Sequence, residues 1–295
     1  MEEKKIEILE SKGFKQTIEI PVLGGKSFEY YRHISTKESF PLISIIVPTY
    51  NLAKFVPETV DSIRKQTANP DFFEVLFVDD CSQDSTREAT LSEIKGLSNT
   101  FSIQTPANNG AWATKNYGVR SSRGKYIMLL DGDDLLESNA VESTLEFMAK
   151  HPEVVYSYSQ HRKIDEKGNI LYTRFGEDYS REKLLNFNFV GAVECFERNL
   201  FDELGGYRPF YVEDYDFALR ASEKLGSDQI ARNCNVLYNH RLHLNGKTNG
   251  VDKARESAAR AIEESLKRKE KINAKVFFEG KNREQNTCFS WRKMA

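Results

Sequence analysis

YIMLLDGDDLLE, residues 126–137, joins an apolar run to three carboxylates, Asp131, Asp133 and Asp134, set within four positions. The run has the length and residue types of a strand buried on both faces. Ending it on mutually repelling acids costs stability unless a cation or hydrogen-bond donors offset the charge. The pattern recurs upstream. LISIIVP (42–48) is a β-branched run followed by Thr49, Tyr50 and Asn51, and EVLFVDD (74–80) ends on Asp79 and Asp80. FSIQT (101–105) is a further short strand.

Helix signatures fill the gaps. Phe55, Val56, Thr59, Val60 and Ile63 repeat at helical spacing. SQDSTREATLSEI offers Asp84 or Ser85 as a cap, NNGAWATKNYGVRSS opens on Asn109-Gly110, and SNAVESTLEFMAK (138–150) offers Ser138 or Asn139. Strand and helix therefore alternate four times, which predicts an α/β fold with a mostly parallel sheet flanked by helices. Such sheets bind ligands beyond the carboxyl ends of their strands. Residues 49–51, 79–82 and 131–134 are expected to converge in one crevice.

After residue 150 the alternation stops. Asp165 to Asn169 reads as a hairpin turn between two strands, VGAVECFE (190–197) and NVLYNH (235–240) as strands, and RNLFDELGG as a helix ending on Gly205-Gly206. DYDFALRASEKLG is one more helix, and residues 251–275 form a long charged helix with Ala254, Ala258, Ile262 and Leu266 on one face. That stripe suits either covering a core or pairing with a second copy. The last 20 residues show little periodicity.

Whole-chain properties exclude several classes. A formal net charge of −2 over 295 residues gives no single-sign field, so nucleic acid is not an expected partner. Four scattered cysteines without a C-x-x-C pair make zinc and a disulfide framework unexpected and favour a reducing compartment. Neither a signal peptide nor a run of about 18 apolar residues is legible.

The acids suit hard-cation chemistry. Two carboxylates two positions apart at a strand end fit Mg²⁺ or Mn²⁺ shared with a diphosphate. A calcium loop fails because Leu136 stands where its turn glycine is required. Helix capping by Asp133 or Asp134 is the purely structural alternative. Asp79 or Asp80 suits a ribose or base edge, and Tyr50, just past the first strand, suits stacking on a base. Glu213 and Asp214 open a helix, where they serve either as caps or, functionally, as a general base. Arg220 is placed to pair with an acid and hold that helix. His240 and His243 do not by themselves define a metal site, but one imidazole with Asp133 and two phosphate oxygens would.

ISIIVPTYN, FVDDCSQDST, NNGAWATKNYGVRSSRGKYIMLLDGDD and GGYRPFYVEDYDFALR, in this order, resemble the family 2 glycosyltransferases with the GT-A, Rossmann-like fold. The resemblance covers roughly residues 42 to 245. It implies a cytoplasmic enzyme that transfers a sugar, with inversion, from a nucleotide-sugar to a glycan or lipid-linked acceptor. Pro48, Thr49 and Tyr50 would contact the base, Asp80 the uracil edge with Asp79 beside it, and Asp131 the ribose. Asn109, Gly110, Lys115 and Gly132 would complete the donor site. Asp133 would bind Mn²⁺ or Mg²⁺ with His243, His240 being the lesser candidate. Asp214 would be the base, supported by Glu213 and Arg220. The implied division is an N-terminal extension (1–41), a donor half (42–137), a smaller mixed acceptor half (138–249) and a C-terminal helical tail (250–295), the last able to form a homodimer. Lys115 replaces the arginine of many relatives. The Q-x-x-R-W segment of processive synthases is missing, so a soluble, non-processive enzyme is expected, at most peripheral to the inner face of the membrane. A sugar-1-phosphate nucleotidyltransferase is the rival, but PTYN stands where its glycine-rich signature belongs. A non-catalytic nucleotide-sugar-binding module is the other. Tyr156, Tyr158, Tyr172 and Phe175 are candidate acceptor platforms, half of them expected in the core.

Overall fold

The structure is a computed structural model that describes residues 41–190, 193–244, 251–281 and 287–294, with short strands at 5–6, 18–19 and 29–32. The chain divides into two compact units, Met1–Glu142 and Ser143–Ala295.

The first unit is the predicted α/β layer. Its strands are β1 (Ile43–Thr49), β2 (Phe73–Asp79), β3 (Thr100–Gln104) and β4 (Tyr126–Leu129), all parallel, in the spatial order β3-β2-β1-β4. Glu29–Arg32 adds an antiparallel edge against β3, so the N-terminal segment contributes a strand. Ile43, Ile45, Ile46 and Val75 to Val78 are buried, as the near-continuous apolar runs require of strands covered on both faces. Helices α1 (Val56–Arg64), α2 (Thr86–Glu93) and α3 (Ala111–Ser121) connect them, and α4 (Ala140–Lys150) follows β4. The chain runs outward from β1 to β3 and then crosses to β4. β1 and β4 are therefore the neighbouring strands at which the strand order reverses, and this is the point at which such sheets open a crevice.

The second unit is mixed. β5 (Tyr156–Ile164) pairs antiparallel with β6 (Ile170–Arg174) and with β7 (Cys195–Glu197), and parallel with β8 (Ile230–Arg241). The β5–β6 turn is held by Asp165, whose carboxylate accepts from the Lys167 and Asn169 backbone N–H groups at 2.9 and 2.8 Å. Arg241, buried, donates to the Glu166 carbonyl at 2.7 Å and ties the end of β8 to that turn. Helices α5 (Arg181–Asn186), α6 (Arg198–Leu204), α7 (Glu213–Lys224) and α8 (Val251–Lys269) complete the unit with a hairpin of β9 (Ala274–Lys281) and β10 (Thr287–Lys293).

Two expectations change, and one left open is decided. The strand sought over 190–197 is confined to Cys195–Glu197, and residues 191 and 192 lie outside the described residues. The tail is a β-hairpin, hidden from the sequence because Phe277 and Phe278 are both exposed while Val276 and Phe289 turn inward, so alternation is broken. The apolar stripe of α8 is internal: Ala258, Ala261, Ile262 and Leu266 are buried. Ser265 and Arg268 on α8 bond Glu223 on α7, and Ser257 accepts from the Tyr211 N–H at 2.9 Å.

Candidate active site

The loops after β1 and β2 are laced together by side chains. Asn51 takes a left-handed φ of 53° and Cys81 one of 59°, turning each loop sharply. The Asn51 N–H donates to Ser82 Oγ at 3.0 Å and its side chain accepts from the Gln83 N–H at 2.8 Å. The Leu52 N–H donates to Thr86 Oγ1 at 2.7 Å. Burial raises the Asp84 pKa, but hydrogen bonds from the Thr86 hydroxyl first, and then from the Thr86 and Ala53 N–H groups, outweigh it and hold it below the usual carboxylate range. These bonds leave Tyr50 standing out of the loop, 41% exposed.

Asp79 and Asp80 are buried and occupied. Asp79 accepts from the Ser82 N–H and hydroxyl and from Gln104 Nε2. Asp80 accepts from Thr105 Oγ1 at 3.1 Å, the Asn109 N–H at 3.0 Å and the Gly110 N–H at 2.8 Å. A carboxylate has about four acceptor positions. Asp80 spends one of them on the Thr105 hydroxyl and two clamping the start of α3, where its charge also meets the positive end of the helix. Gly110, at φ 85°, makes the turn that aims its N–H there.

The β4 loop is pinned against β1. The Gly132 N–H donates to the Pro48 carbonyl at 3.2 Å, and Thr59 Oγ1 donates to the Gly132 and Asp134 carbonyls, both at 3.0 Å. A Cβ on Gly132 would lie 2.6 Å from Thr49 Cγ2 and 2.8 Å from the Pro48 carbonyl oxygen, so only glycine fits. The consequence is a division of labour among the three acids. Asp134 is buried, Asp133 half-buried and Asp131 exposed. Lys115, buried on α3, brings its ammonium to 3.8 Å from Asp131 Oδ1. The first unit thus gathers Pro48, Thr49, Tyr50, Gly132, Asp131, Asp133 and Lys115 at one end of the sheet, with Asp79 and Asp80 bracing them from below.

In the second unit Asp214 lies in the first turn of α7 and accepts from the Tyr215 N–H at 2.8 Å. Glu213 beside it is buried, as is Glu194. Burial first, then the charges of Glu194, Tyr207 and Asp214, push the Tyr156 phenol well above its usual pKa. α7 is fixed by a fully buried Asp216. Arg208 bonds both of its oxygens, and Arg220 donates to it at 2.9 Å. Arg220 also donates to the Leu204 and Gly206 carbonyls, both at 2.7 Å, around the Gly205–Gly206 turn where both φ angles are positive. Asp216 and Arg208 escaped the sequence reading. The i, i+4 spacing of Asp216 and Arg220 was the available signal.

His240 and His243 differ in setting. His240 sits on β8 with Nδ1 2.5 Å from Lys163 Nζ, whereas His243 lies just past the end of β8 and is half-buried. Among the described residues no three His, Cys, Asp or Glu side chains form a metal-ligating cluster. The donor set nevertheless fits a hard divalent ion in an open site. Asp131 and Asp133 present carboxylate oxygens at least partly accessible to solvent, and Mg²⁺ or Mn²⁺ held by one or two carboxylates takes its other ligands from water and phosphate. Of the four aromatic candidates, Tyr156 and Tyr158 are core and Tyr172 and Phe175 are exposed. No helix among the described residues is long and apolar enough to cross a membrane.

The family model described as Glycosyl transferase family 2 matches residues 44–215, more than half of the chain. Chondroitin synthase of Escherichia coli is 32% identical over 79% of this chain and 34% of its own length. The chain spans about a quarter to a third of the first curated relatives that it matches. S. aureus TarS 1–349, solved in complex with UDP-GlcNAc, superposes with a TM-score of 0.64 at 18% identity, over 77% of this chain and 67% of that one. The mannosyltransferase PcManGT from Pyrobaculum calidifontis, solved with GDP-Man and Mn²⁺, does so with 0.62 at 18% identity, over 78% and 65%. Both likenesses show a shared fold.

Proposed function

This chain belongs to glycosyl transferase family 2, and we propose that it moves a sugar, with inversion, from a nucleotide-sugar to a hydroxyl of a glycan or lipid-linked acceptor. A uridine diphosphate sugar is the first donor to test. The observation that carries this reading is the β4 loop, where Gly132 packs on Pro48 and Thr49 and thereby holds Asp131 and Asp133 at the sheet edge near Lys115.

Each residue has a separate task. Tyr50 offers an exposed ring for the base. Asp131 accepts from the ribose hydroxyls, and Lys115 supplies positive charge to the diphosphate. Asp133 and His243 would hold Mg²⁺ or Mn²⁺, which when bound stabilises the charge developing on the leaving diphosphate as a Lewis acid. Asp214 takes the proton from the acceptor hydroxyl as that oxygen forms its bond to the anomeric carbon. Attack opposite the departing diphosphate inverts the anomeric centre.

Asp214→Asn separates an enzyme from a nucleotide-sugar-binding module. Turnover should fall by roughly 10²- to 10⁴-fold while uridine diphosphate affinity stays level; undiminished transfer would remove Asp214 from the mechanism. A panel of nucleotide-sugars screened by thermal unfolding, with and without Mn²⁺, identifies the donor. A saturating donor at about 100 times its Kd stabilises the fold by about 2.7 kcal/mol. A panel in which no nucleotide-sugar raises Tm would defeat the proposal.

A further inference from the structure

We propose that the outer face of the β9–β10 hairpin docks on a lipid surface that carries anionic headgroups. This surface includes none of the residues that the proposed reaction uses.

The strand register builds the face. Lys275 on β9 pairs with Arg292 on β10, and two residues along, Phe277 pairs with Ser290. Directly paired residues point to the same face, and so do residues two apart on one strand. The opposite face carries Val276 and Phe289, both buried, and lies against α8, where the Glu263 carboxylate accepts from the Val276 N–H at 3.0 Å. The hairpin is thus anchored by one face, and Lys275, Phe277 and Arg292 are exposed on the other.

The charge on this face calls for an anion. Lys275 and Arg292 stand directly opposite each other, with a Cβ separation of about 5 Å, and like charges so placed repel. Neither of them, nor Lys293 beside them, forms an ion pair with another described residue. Glu279, exposed on the same hairpin, accepts from the Ser290 hydroxyl instead. Residues 274–294 hold five Lys or Arg and two Glu in a chain whose formal net charge is −2, so positive charge is concentrated here.

Apolar groups stand among the cations. Phe277 is 43% exposed, and the Arg292 guanidinium lies 5.7 Å from the centre of its ring. Met294, just past β10, is 53% exposed. Trp291 shares the anchored face with Val276 by register, yet it too reaches solvent at the rim. Cations interleaved with exposed rings and a thioether match the boundary between headgroups and acyl chains, where charges meet phosphates and the apolar groups enter the interface. A second copy of the chain fits this face worse, because an isologous contact sets the Lys275–Arg292 pair against itself. A soluble polyanion would leave Phe277 and Met294 in water.

The test sediments the whole chain with vesicles of phosphatidylcholine alone and of phosphatidylcholine mixed with phosphatidylglycerol. Wild type, the double variant Lys275→Gln/Arg292→Gln and Phe277→Gln are compared, with Tm recorded for each. All three positions are exposed, so the variants should fold. The wild type should bind the phosphatidylglycerol vesicles and not phosphatidylcholine alone. The double variant should bind them more weakly by about fivefold per cation removed. Phe277→Gln should weaken the binding that persists at high salt, where headgroup attraction is screened. In a Trp112→Phe background Trp291 is the remaining tryptophan, and its emission should shift to the blue on phosphatidylglycerol vesicles. That shift carries the test should the double variant fail to fold. Sedimentation with neither vesicle, equal sedimentation with both, or unchanged binding by a folded double variant overturns the proposal. Binding of dextran sulfate without any shift of Trp291 emission on vesicles would overturn it in favour of a soluble polyanion. A dimer in solution that Phe277→Gln dissociates would overturn it in favour of a second copy.

Discussion

Asp216 illustrates how a single buried charge sets the position of its neighbours. It has no exposure to solvent and is bonded by Arg208 and Arg220. Arg220 in turn holds the α6 terminus, so the first turn of α7, and Asp214 with it, is placed by this triad. Removing one partner of a buried ion pair leaves uncompensated charge and costs about 3–5 kcal/mol. Asp216→Ala should therefore lower the unfolding free energy extrapolated from a urea titration by an amount in that range, and a change within about 0.5 kcal/mol would show that the triad contributes nothing. Asp80 carries a comparable structural task in the first unit. The resemblance implies a base edge for it, and it also accepts from the Thr105 hydroxyl and, through two N–H groups, holds the start of α3. That commitment was not legible from VDD alone, because its partners, Asn109 and Gly110, lie 29 and 30 residues downstream.

Helix α3 shows what an element needs in order to serve the site. It delivers Lys115 to Asp131 at one end and packs on the sheet through Gly118 further along. A Cβ at Gly118 would meet Ile46 Cγ2 at 2.4 Å and Val78 Cγ2 at 3.0 Å. Gly118→Ala should lift the helix off β1 and β2 and cost about 1–3 kcal/mol by overpacking. Because Lys115 rides on the same helix, donor affinity should fall as well, and calorimetry with uridine diphosphate reads that directly. A Gly118→Ala protein as stable as wild type would mean that the helix shifts without penalty. The strands and most helices were readable because hydrophobic periodicity is local. The β9–β10 hairpin was not, since its pattern is irregular and its inward residues, Val276 and Phe289, are set by cross-strand pairing.

At the scale of the whole molecule, two largely buried histidines, His161 and His240, tie stability to pH. Burial first, then Lys163 and Arg174, lower the His161 pKa to about 3, and His240 is lowered by burial, Lys163, His161, Arg174 and His243. Unfolded histidine titrates near 6.5. The folded state therefore binds fewer protons between these values, so the stability is complete above about pH 6.5 and is lost progressively as pH falls towards 3. Unfolding midpoints should drop between pH 7.5 and 4.5, and His161→Gln should flatten that slope; an unchanged slope would show that His161 is free to protonate in the native state.

The order of apolar runs and helices, the acid-tipped strands and the family membership of this chain were all present in its sequence, because burial on two faces writes itself into contiguous residues. Several things were decided only when the chain folded. Asp79 and Asp80 became braces while Asp131 and Asp133 stayed accessible, Tyr156 and Tyr158 became core while Tyr172 and Phe175 faced outward, and Lys163 met His240. The physical reason is shared: each outcome depends on hydrogen bonds and strand pairings between residues distant in sequence, and sheet order and register, which no local pattern encodes, choose those partners.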